Sequence, residues 1–118
     1  MADLDSNERN WGMLCHISAL AALAITGVGQ IVGPFVLWIW KREKYPFVEE
    51  QGRESLNFQI TMTIVGAAAA IPWYLGYEWG KQLVMVIALM DLAMTAYAAM
   101  QASKGIHYRY PFSLKLVN

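Results

Sequence analysis

The pattern of hydrophobic and polar positions divides the chain into long stretches without formal charge. Residues 10–40 and 55–77 contain no acidic, lysine or arginine side chain, and Asp91 is the only such residue in 82–103. A helix that crosses the hydrocarbon core of a bilayer, which is about 30 Å thick, needs about 20 apolar residues. Helices buried in a soluble protein of this size are shorter and keep a polar face. The pattern therefore predicts an all-α integral membrane protein.

The first uncharged stretch is too long for one ordinary span, and helix-breaking residues lie near its middle. The segment TGVGQIVGP, residues 26–34, contains Gly27, Gly29, Gly33 and Pro34. Because clustered glycine and proline punctuate helices, two segments joined by a turn are expected here. We predict a single four-helix membrane domain over residues 1–118, with segments at about 8–26, 31–43, 54–77 and 81–103. The second segment is short, so it either spans with the help of snorkelling lysine and arginine side chains or is re-entrant.

The distribution of basic residues predicts the orientation of these segments. Four segments place both termini and the loop before the third segment on one side of the membrane. The side that holds the termini and this loop then carries eight basic residues, and the opposite side carries Lys81 alone. The eight are Arg9, Lys41, Arg42, Lys44, Arg53, Lys104, Arg109 and Lys115. Cytoplasmic loops are enriched in Lys and Arg, so both termini are predicted to be cytoplasmic. A three-span arrangement would move Arg9 to the other side and weaken the asymmetry, and it remains an alternative.

Composition agrees with this class and narrows the chemistry. Hydrophobic residues make up 57% of the chain and charged residues 15%, against about a quarter charged in soluble domains. The net charge of zero gives no argument for a nucleic-acid partner. Cys15 is the only cysteine, which excludes an intramolecular disulfide and a multi-cysteine metal site. The polar, acidic start MADLDSNERN lacks the positive region of a cleaved signal peptide, so the first segment is expected to be retained.

A polar stretch, YPFVEEQGRESLNFQI at residues 45–60, continues into the third hydrophobic segment without a helix breaker. Pro46 suits the first turn of a helix. Helical spacing then produces two polar stripes. The first polar stripe is Glu50, Glu54, Asn57 and Thr61, and the second polar stripe is Gln51, Ser55, Gln59 and Thr63.

Lipid cannot satisfy these side chains, so they are expected to face other helices, water or a partner protein. The predicted interaction face comprises Glu50, Gln51, Glu54, Asn57, Gln59 and Thr61. The alternative is that the amides and hydroxyls simply form hydrogen bonds to neighbouring helices.

A second candidate site lies within the predicted membrane region. Asp91 lies near the middle of the fourth segment, where a carboxylate costs about 2.5–3.5 kcal/mol even on the lenient insertion scale. It is therefore expected to face inward, to be protonated or to be paired. His16 is predicted at a similar depth and Thr95 is one helical turn away, so the three residues form a predicted intramembrane polar site. This site either relays a proton, binds a cation or is a structural pair that fixes helix packing.

Neither a cofactor nor a resident metal is predicted. Cys15 and His16 are adjacent in sequence, and adjacent helical residues point about 100° apart. HExxH, nucleophile-elbow and glycine-rich phosphate-loop motifs are absent from the sequence, so no enzymatic activity is expected.

Three segments resemble a widespread family of small bacterial membrane proteins of unknown function. They are NWGMLCHISAL, GQIVGPFVLWIWKREKYPFVEEQGRESLNFQITMTI and YRYPF, and the resemblance covers about residues 10–112. That family is grouped with the Tic-twenty subunit of the chloroplast inner-envelope protein translocon. The resemblance implies a four-helix membrane fold, no known cofactor and no established enzymatic activity.

The expected function is that of a non-enzymatic, Tic-twenty-like subunit or scaffold of a complex in the bacterial cytoplasmic (inner) membrane. Small residues in the third and fourth segments suit close helix–helix approach, either within the chain or between subunits. The expected partners are the lipid bilayer and either further copies of the chain or a larger membrane protein. The alternative is a minimal ion or proton channel or transporter that uses Asp91 and the polar face of the third helix.

Overall fold

The structure, a computed structural model, describes residues 4–23 and 29–118. These residues form four α-helices, α1 (Ser6–Leu23), α2 (Gly29–Lys41), α3 (Pro46–Tyr74) and α4 (Trp79–Ser103). Residues 106–118 have no regular secondary structure and are called the C-terminal tail below. The molecule is elongated, with extents of 52 × 24 × 21 Å. The all-helical class predicted from the sequence is confirmed.

The helix bounds differ from the predicted segments mainly at α3. This helix begins at Pro46, as the sequence predicts, so it starts about eight residues before the predicted membrane segment and the polar stretch is its first part. α2 begins at Gly29 and includes Gly33 and Pro34, two of the residues expected to break the chain there. The predicted turn between the first two segments falls largely on residues 24–28, which lie outside the described residues.

The start of α3 is fixed by its own sequence and by α1. Tyr45 is extended (φ −126°, ψ 111°) and Pro46 occupies the first turn, where its missing N–H costs no helical hydrogen bond. The next N–H group, that of Phe47, donates to the Glu8 carboxylate of α1 at 3.1 Å. Acidic groups are favourable at a helix N-terminus because they complement the helix dipole. Glu8 therefore couples the first turns of α1 and α3.

The other end of α3 requires a glycine. The N–H of Tyr77 donates to the carbonyl of Pro72 at 2.9 Å, and Gly76 adopts a positive φ of 99°. Residues with a Cβ rarely adopt this conformation, whereas glycine does so at little cost. The resulting turn leads directly into α4 at Trp79.

Helices α1 and α3 pack side by side, and each of them also contacts α2 and α4. Among the described residues, α2 and α4 do not contact each other. Close approach of α1 and α2 depends on Gly33, because a Cβ there would lie 2.7 Å from the Ser18 carbonyl oxygen.

Burial divides α3 into two parts. Twelve of the 16 residues from Phe47 to Met62 are buried, whereas Ala69 is the only buried residue between Thr63 and Tyr74. α3 and α4 are the two helices among the described residues that are long and apolar enough to cross a membrane. The polar first part of α3 therefore lies inside the bundle, and its apolar second part lies largely on the surface.

Candidate functional site

The first polar stripe of α3 lies against the C-terminal tail. The carboxylate of Glu54 is 7% exposed, accepts the backbone N–H of Tyr110 at 3.2 Å and pairs with the Lys115 ammonium at 3.3 Å. One turn earlier, Glu50 contacts the imidazole of His107. The tail thus supplies both positive charge and backbone donors to the acidic end of the stripe.

Further along α3, the side-chain amide of Asn57 forms hydrogen bonds with the backbone of the tail. Its Oδ1 accepts the N–H groups of Leu116 at 3.1 Å and Val117 at 2.7 Å, and its Nδ2 donates to the Val117 carbonyl at 3.1 Å. The Thr61 hydroxyl accepts the N–H of Leu114 at 2.9 Å. These contacts bring the tail about four turns into the bundle along α3. The predicted role of this face in binding a partner stays a prediction, and in the structure its occupant is the chain's own tail.

The second polar stripe turns towards α1 and meets His16, which is fully buried. The Nε2 atom of His16 lies 2.8 Å from Oε1 of Gln51, and its Nδ1 atom lies 2.8 Å from the Tyr110 hydroxyl. The Gln51 amide donates its Nε2 to the Tyr108 carbonyl at 3.2 Å, which fixes the amide orientation. Because Oε1 of Gln51 can only accept, Nε2 of His16 carries the proton and Nδ1 accepts from Tyr110.

The Tyr110 side chain has two contacts that explain its place in this network. Its ring stacks on Phe58, with ring centroids 3.9 Å apart and an interplanar angle of 5°. Burial raises the pKa of the Tyr110 phenol well above its ordinary value, so the hydroxyl keeps the proton that it donates to His16. Tyr110 therefore joins the tail to both α1 and α3.

The remaining members of the second polar stripe are also engaged inside the bundle. The Ser55 hydroxyl donates to the Cys15 carbonyl at 2.9 Å, and Thr63 receives the Gln30 amide at 3.0 Å. The partners of the first stripe therefore come mainly from the tail, whereas those of the second come from α1, α2 and α4, together with the Tyr108 carbonyl of the tail.

Asp91 of α4 is held by α3. Its Oδ1 atom accepts the Gln59 amide at 2.9 Å and the Thr95 hydroxyl at 3.0 Å, and the same amide donates to Thr95 at 2.9 Å. Asp91 is 4% exposed, and Gln59 and Thr95 are fully buried. The structure thus brings together Asp91 and Thr95, both from the predicted intramembrane site, and adds Gln59 from the predicted interaction face.

His16 is not bonded to Asp91 in the part of the chain that the structure describes, which corrects the contact considered from the sequence. Both ring nitrogens of His16 are already used by Gln51 and Tyr110. A similar depth along the bundle does not by itself determine which groups a buried ring meets. The tail places Tyr110 beside His16, and Gln59 takes the position next to Asp91.

A cavity lies beside Asp91, between α2, α3 and α4. Its volume is about 320 Å³, and its polar lining residues among those described are Gln30, Thr63 and Asp91. We call it the Asp91 cavity. The Oε1 atom of Gln30 is buried and has no hydrogen-bond partner in residues 4–23 and 29–118. Such atoms are uncommon in folded proteins and are accounted for by strain, by a functional role or by a bound water or ion.

Sequence reasoning did not identify Tyr110 as a site residue. His16 and Tyr110 are 94 positions apart, so helical periodicity contains no signal that joins them. The available signal was the segment YRYPF, which contributed to the family resemblance and contains Tyr110.

These features define a small all-helical protein with an internal polar network and two helices that are long and apolar enough to cross a membrane. The chain belongs to the magnetosome magnetite crystal formation protein family, whose model matches residues 7–117. This family consists of small magnetosome-associated membrane proteins.

Neither the curated proteins nor the solved structures contain a match to the chain. The family match agrees with the resemblance to small bacterial membrane proteins. It shows no link to the Tic-twenty subunit, so the translocon analogy drawn from the sequence is not supported.

Proposed function

We propose that the protein is a non-enzymatic integral membrane protein that acts as a small subunit or scaffold in magnetite crystal formation at the magnetosome. The process comes from the family description. The main support for a membrane location is that polar side chains lie inside the bundle and apolar ones lie outside. Asp91 and Gln59 are buried, whereas Leu89 and Leu92 are 61% and 47% exposed. Soluble monomers rarely expose apolar surface as extensive as that of α4. The predicted multi-pass placement in the bacterial cytoplasmic membrane belongs to the same proposal, with α3 and α4 as the best-supported spans.

The engagement of the potentially reactive side chains supports a non-enzymatic role. A general base must reach the proton that it removes, directly or through one water. His16 is fully buried and both its nitrogens are occupied, and Cys15 is also fully buried. The Ser55 hydroxyl is committed to a backbone carbonyl. These three groups hold the helices together, and none of them is free to act on a substrate.

Small residues on the outside of α3 and α4 support a role as a subunit. Ala69 and Ala99 are buried in the bundle, whereas the exposed small residues of the two helices are Ala67, Ala68, Ala88, Ala93 and Ala96. Small side chains let the backbones of membrane helices approach closely, which favours helix association in lipid. We therefore propose this exposed small-residue face of α3 and α4 as the surface that meets a second copy or a larger membrane protein.

The subunit role is tested by enlarging one exposed alanine. Ala96→Phe adds a bulky ring outside the bundle, so the monomer fold should survive while close helix contact is blocked. The matched control is Leu92→Phe, which changes a side chain that is already large and 47% exposed. Cross-linking and mass analysis of the purified proteins in mild detergent should show fewer oligomers or partner complexes for Ala96→Phe alone. Equal association of both variants and the unmodified protein would remove this surface from the proposal.

The biological role is tested in a magnetosome-forming host from which the gene has been deleted. We expect altered magnetite crystals in the deletion strain, measured by electron microscopy, and recovery with the unmodified gene or with Leu92→Phe. Ala96→Phe should restore the crystals poorly even though the protein reaches the membrane. Normal crystals in the deletion strain would contradict a role in crystal formation.

The Asp91 cavity favours a second candidate function, a minimal ion or proton channel or transporter. Intramembrane carboxylates that border a cavity are often part of ion pathways. Purified protein in liposomes distinguishes the two candidates. Selective flux that Asp91→Asn abolishes would favour transport, and the absence of flux from well-folded protein would favour the scaffold.

A further inference from the structure

The lining of the Asp91 cavity is unbalanced in charge. Asp91 is the only acidic residue among its described lining residues, and none of these is lysine, arginine or histidine. The carboxylate receives two neutral donors, the Gln59 amide and the Thr95 hydroxyl, and both go to Oδ1. Neutral donors reduce the cost of a buried carboxylate, but they do not supply the positive charge that a low-dielectric region favours.

The same cavity is lined by Gln30, whose amide oxygen has no donor in the described part of the chain. The Gln30 side chain is 6% exposed, and its Nε2 donates to Thr63, so the amide orientation leaves Oε1 as the unsatisfied atom. Turning the amide over would place an oxygen against the Thr63 hydroxyl, which already donates its proton to the Gln59 carbonyl. The observed orientation is therefore the favourable one, and it leaves Oε1 of this cavity-lining residue as the unsatisfied acceptor.

A second acceptor of this kind lies next to Asp91. Oε1 of Gln59 is also buried without a partner in the described part of the chain, and it belongs to the amide that holds the Asp91 carboxylate. Gln59 does not itself line the cavity. The unmatched polar atoms in this region are thus all oxygens, and the group that they lack is a positively charged or proton-donating one.

We propose that the Asp91 cavity binds a small monovalent metal cation, with the Asp91 carboxylate and the Gln30 amide oxygen as ligands. Carboxylate, amide and hydroxyl oxygens are the ligands that hard cations prefer. One carboxylate and one monovalent cation form a neutral pair, which suits a site inside an apolar bundle. The described residues contain no group of three His, Cys, Asp or Glu side chains of the kind that holds a transition metal. This inference goes beyond the proposed subunit role and does not depend on it.

The test is the thermal stability of the purified full-length protein in detergent at one ionic strength. The four salts are sodium, potassium, lithium and choline chloride. Choline is the control because methyl and methylene groups cover its charged nitrogen, so oxygen ligands cannot coordinate it as they coordinate a metal ion. A ligand that binds only the folded state raises the melting temperature, and saturation of this site should raise it by about 3–8 °C. We expect a saturable rise with at least one of the three metal ions over choline.

Three variants test whether the rise in melting temperature comes from the Asp91 cavity. Asp91→Asn removes the charge and should abolish the rise, and Gln30→Leu removes the amide oxygen and should weaken the cation dependence at least tenfold. The control is Gln82→Leu, which makes the same change at an exposed position of α4 and should leave the dependence intact. If Asp91→Asn does not fold, Gln30→Leu still decides the result. Equal melting temperatures in all four salts would overturn the proposal, as would a rise that persists unchanged in Gln30→Leu.

Discussion

At the scale of single residues, the buried His16 shows how side-chain chemistry fixes a structure that sequence spacing leaves open. A neutral imidazole has one donor and one acceptor, and burial makes an unpaired one costly. Gln51 accepts from one nitrogen and Tyr110 donates to the other. Because the three residues come from α1, α3 and the tail, this arrangement holds three parts of the chain in one register.

Removing the Tyr110 hydroxyl tests the contribution of this arrangement. Tyr110→Phe keeps the ring that stacks on Phe58 but leaves Nδ1 of His16 as a buried acceptor without a donor. We expect a loss of about 1–3 kcal/mol in the free energy of unfolding. The measurement is the denaturation of the purified protein in detergent. Tyr97→Phe is the control, because Tyr97 is 49% exposed and its change should have little effect. Equal losses in both variants would show that the hydroxyl contact with His16 contributes nothing specific.

Asn57 provides a second test, directed at the tail. Asn57→Leu removes the partners of two backbone N–H groups and one carbonyl of the tail, at Leu116 and Val117. We expect a cost of about 1–3 kcal/mol and faster removal of C-terminal residues by carboxypeptidase. Ile60→Leu conserves side-chain volume on the same helix and should cost less than about 1.5 kcal/mol. Equal tolerance at the two positions would contradict the observed orientation of α3.

The residue-level predictions rest on evidence that is local in sequence. The spacing of the two polar stripes follows from helical periodicity, and the expected inward placement or pairing of Asp91 follows from the cost of a carboxylate among apolar residues. The partners themselves did not follow from it. Gln59 and Asp91 are 32 positions apart, and Asn57 and Val117 are 60 apart. Such pairs depend on which face each helix turns towards its neighbour and on the path of an irregular tail. Neither of these produces a periodic pattern in the sequence.

At the scale of helices, glycines decide how closely α2 and α3 approach. A Cβ at Gly52 would lie 2.6 Å from Cδ1 of Trp38. The Trp38 ring is held in place because its Nε1 donates to the Glu49 carbonyl at 3.0 Å. Glycine was expected from the sequence to mark the break between the first two segments. In α3 it instead marks a close contact between helices.

This contact predicts opposite effects for two similar substitutions in α3. Gly66→Ala should be neutral or stabilising by up to about 1 kcal/mol, because alanine favours helix and no atom lies within 4 Å of the added Cβ. Gly52→Ala gains the same helix propensity but should destabilise by about 1–3 kcal/mol, because Trp38 must move. Thermal melts of both variants against the unmodified protein provide the measurement. Stabilisation by Gly52→Ala would show that α2 and α3 are not packed as described.

At the scale of the whole molecule, the length of α3 can be compared with the thickness of a bilayer. The 29 residues of α3 extend about 44 Å at 1.5 Å per residue, close to the roughly 40–45 Å of a bilayer with its headgroup layers. Aromatic residues lie at both ends. At one end the Lys41 ammonium is 4.5 Å from the ring centroids of both Trp11 and Trp40, and at the other Tyr74 and Trp79 are exposed. Rings of this kind prefer the headgroup level. The first turn of α3 then lies in the polar layer, and the helix crosses the hydrocarbon with Glu54, Asn57 and Thr61 bonded to the tail inside the bundle.

The same lengths separate two arrangements of α1 and α2. α2 has 13 residues and extends only about 20 Å, too short to cross a hydrocarbon core of about 30 Å without distortion. Either α1 and α2 cross with thinning of the bilayer and snorkelling of Lys41, or both enter from one side and only α3 and α4 cross. Both arrangements place the two termini and the α2–α3 loop on the side that holds eight of the nine Lys and Arg residues.

Reporter fusions distinguish these arrangements. Basic loops stay in the cytoplasm, so reporters at either terminus should read cytoplasmic and a reporter at residue 78 should read external. A reporter at residue 28 should read external if four segments cross, as the sequence predicts. A cytoplasmic reading at residue 28, with the other three readings unchanged, would instead establish two crossing helices and a pair of half-embedded ones. A reporter at residue 78 that reads cytoplasmic would contradict both arrangements, because α3 and α4 would then not cross as a hairpin.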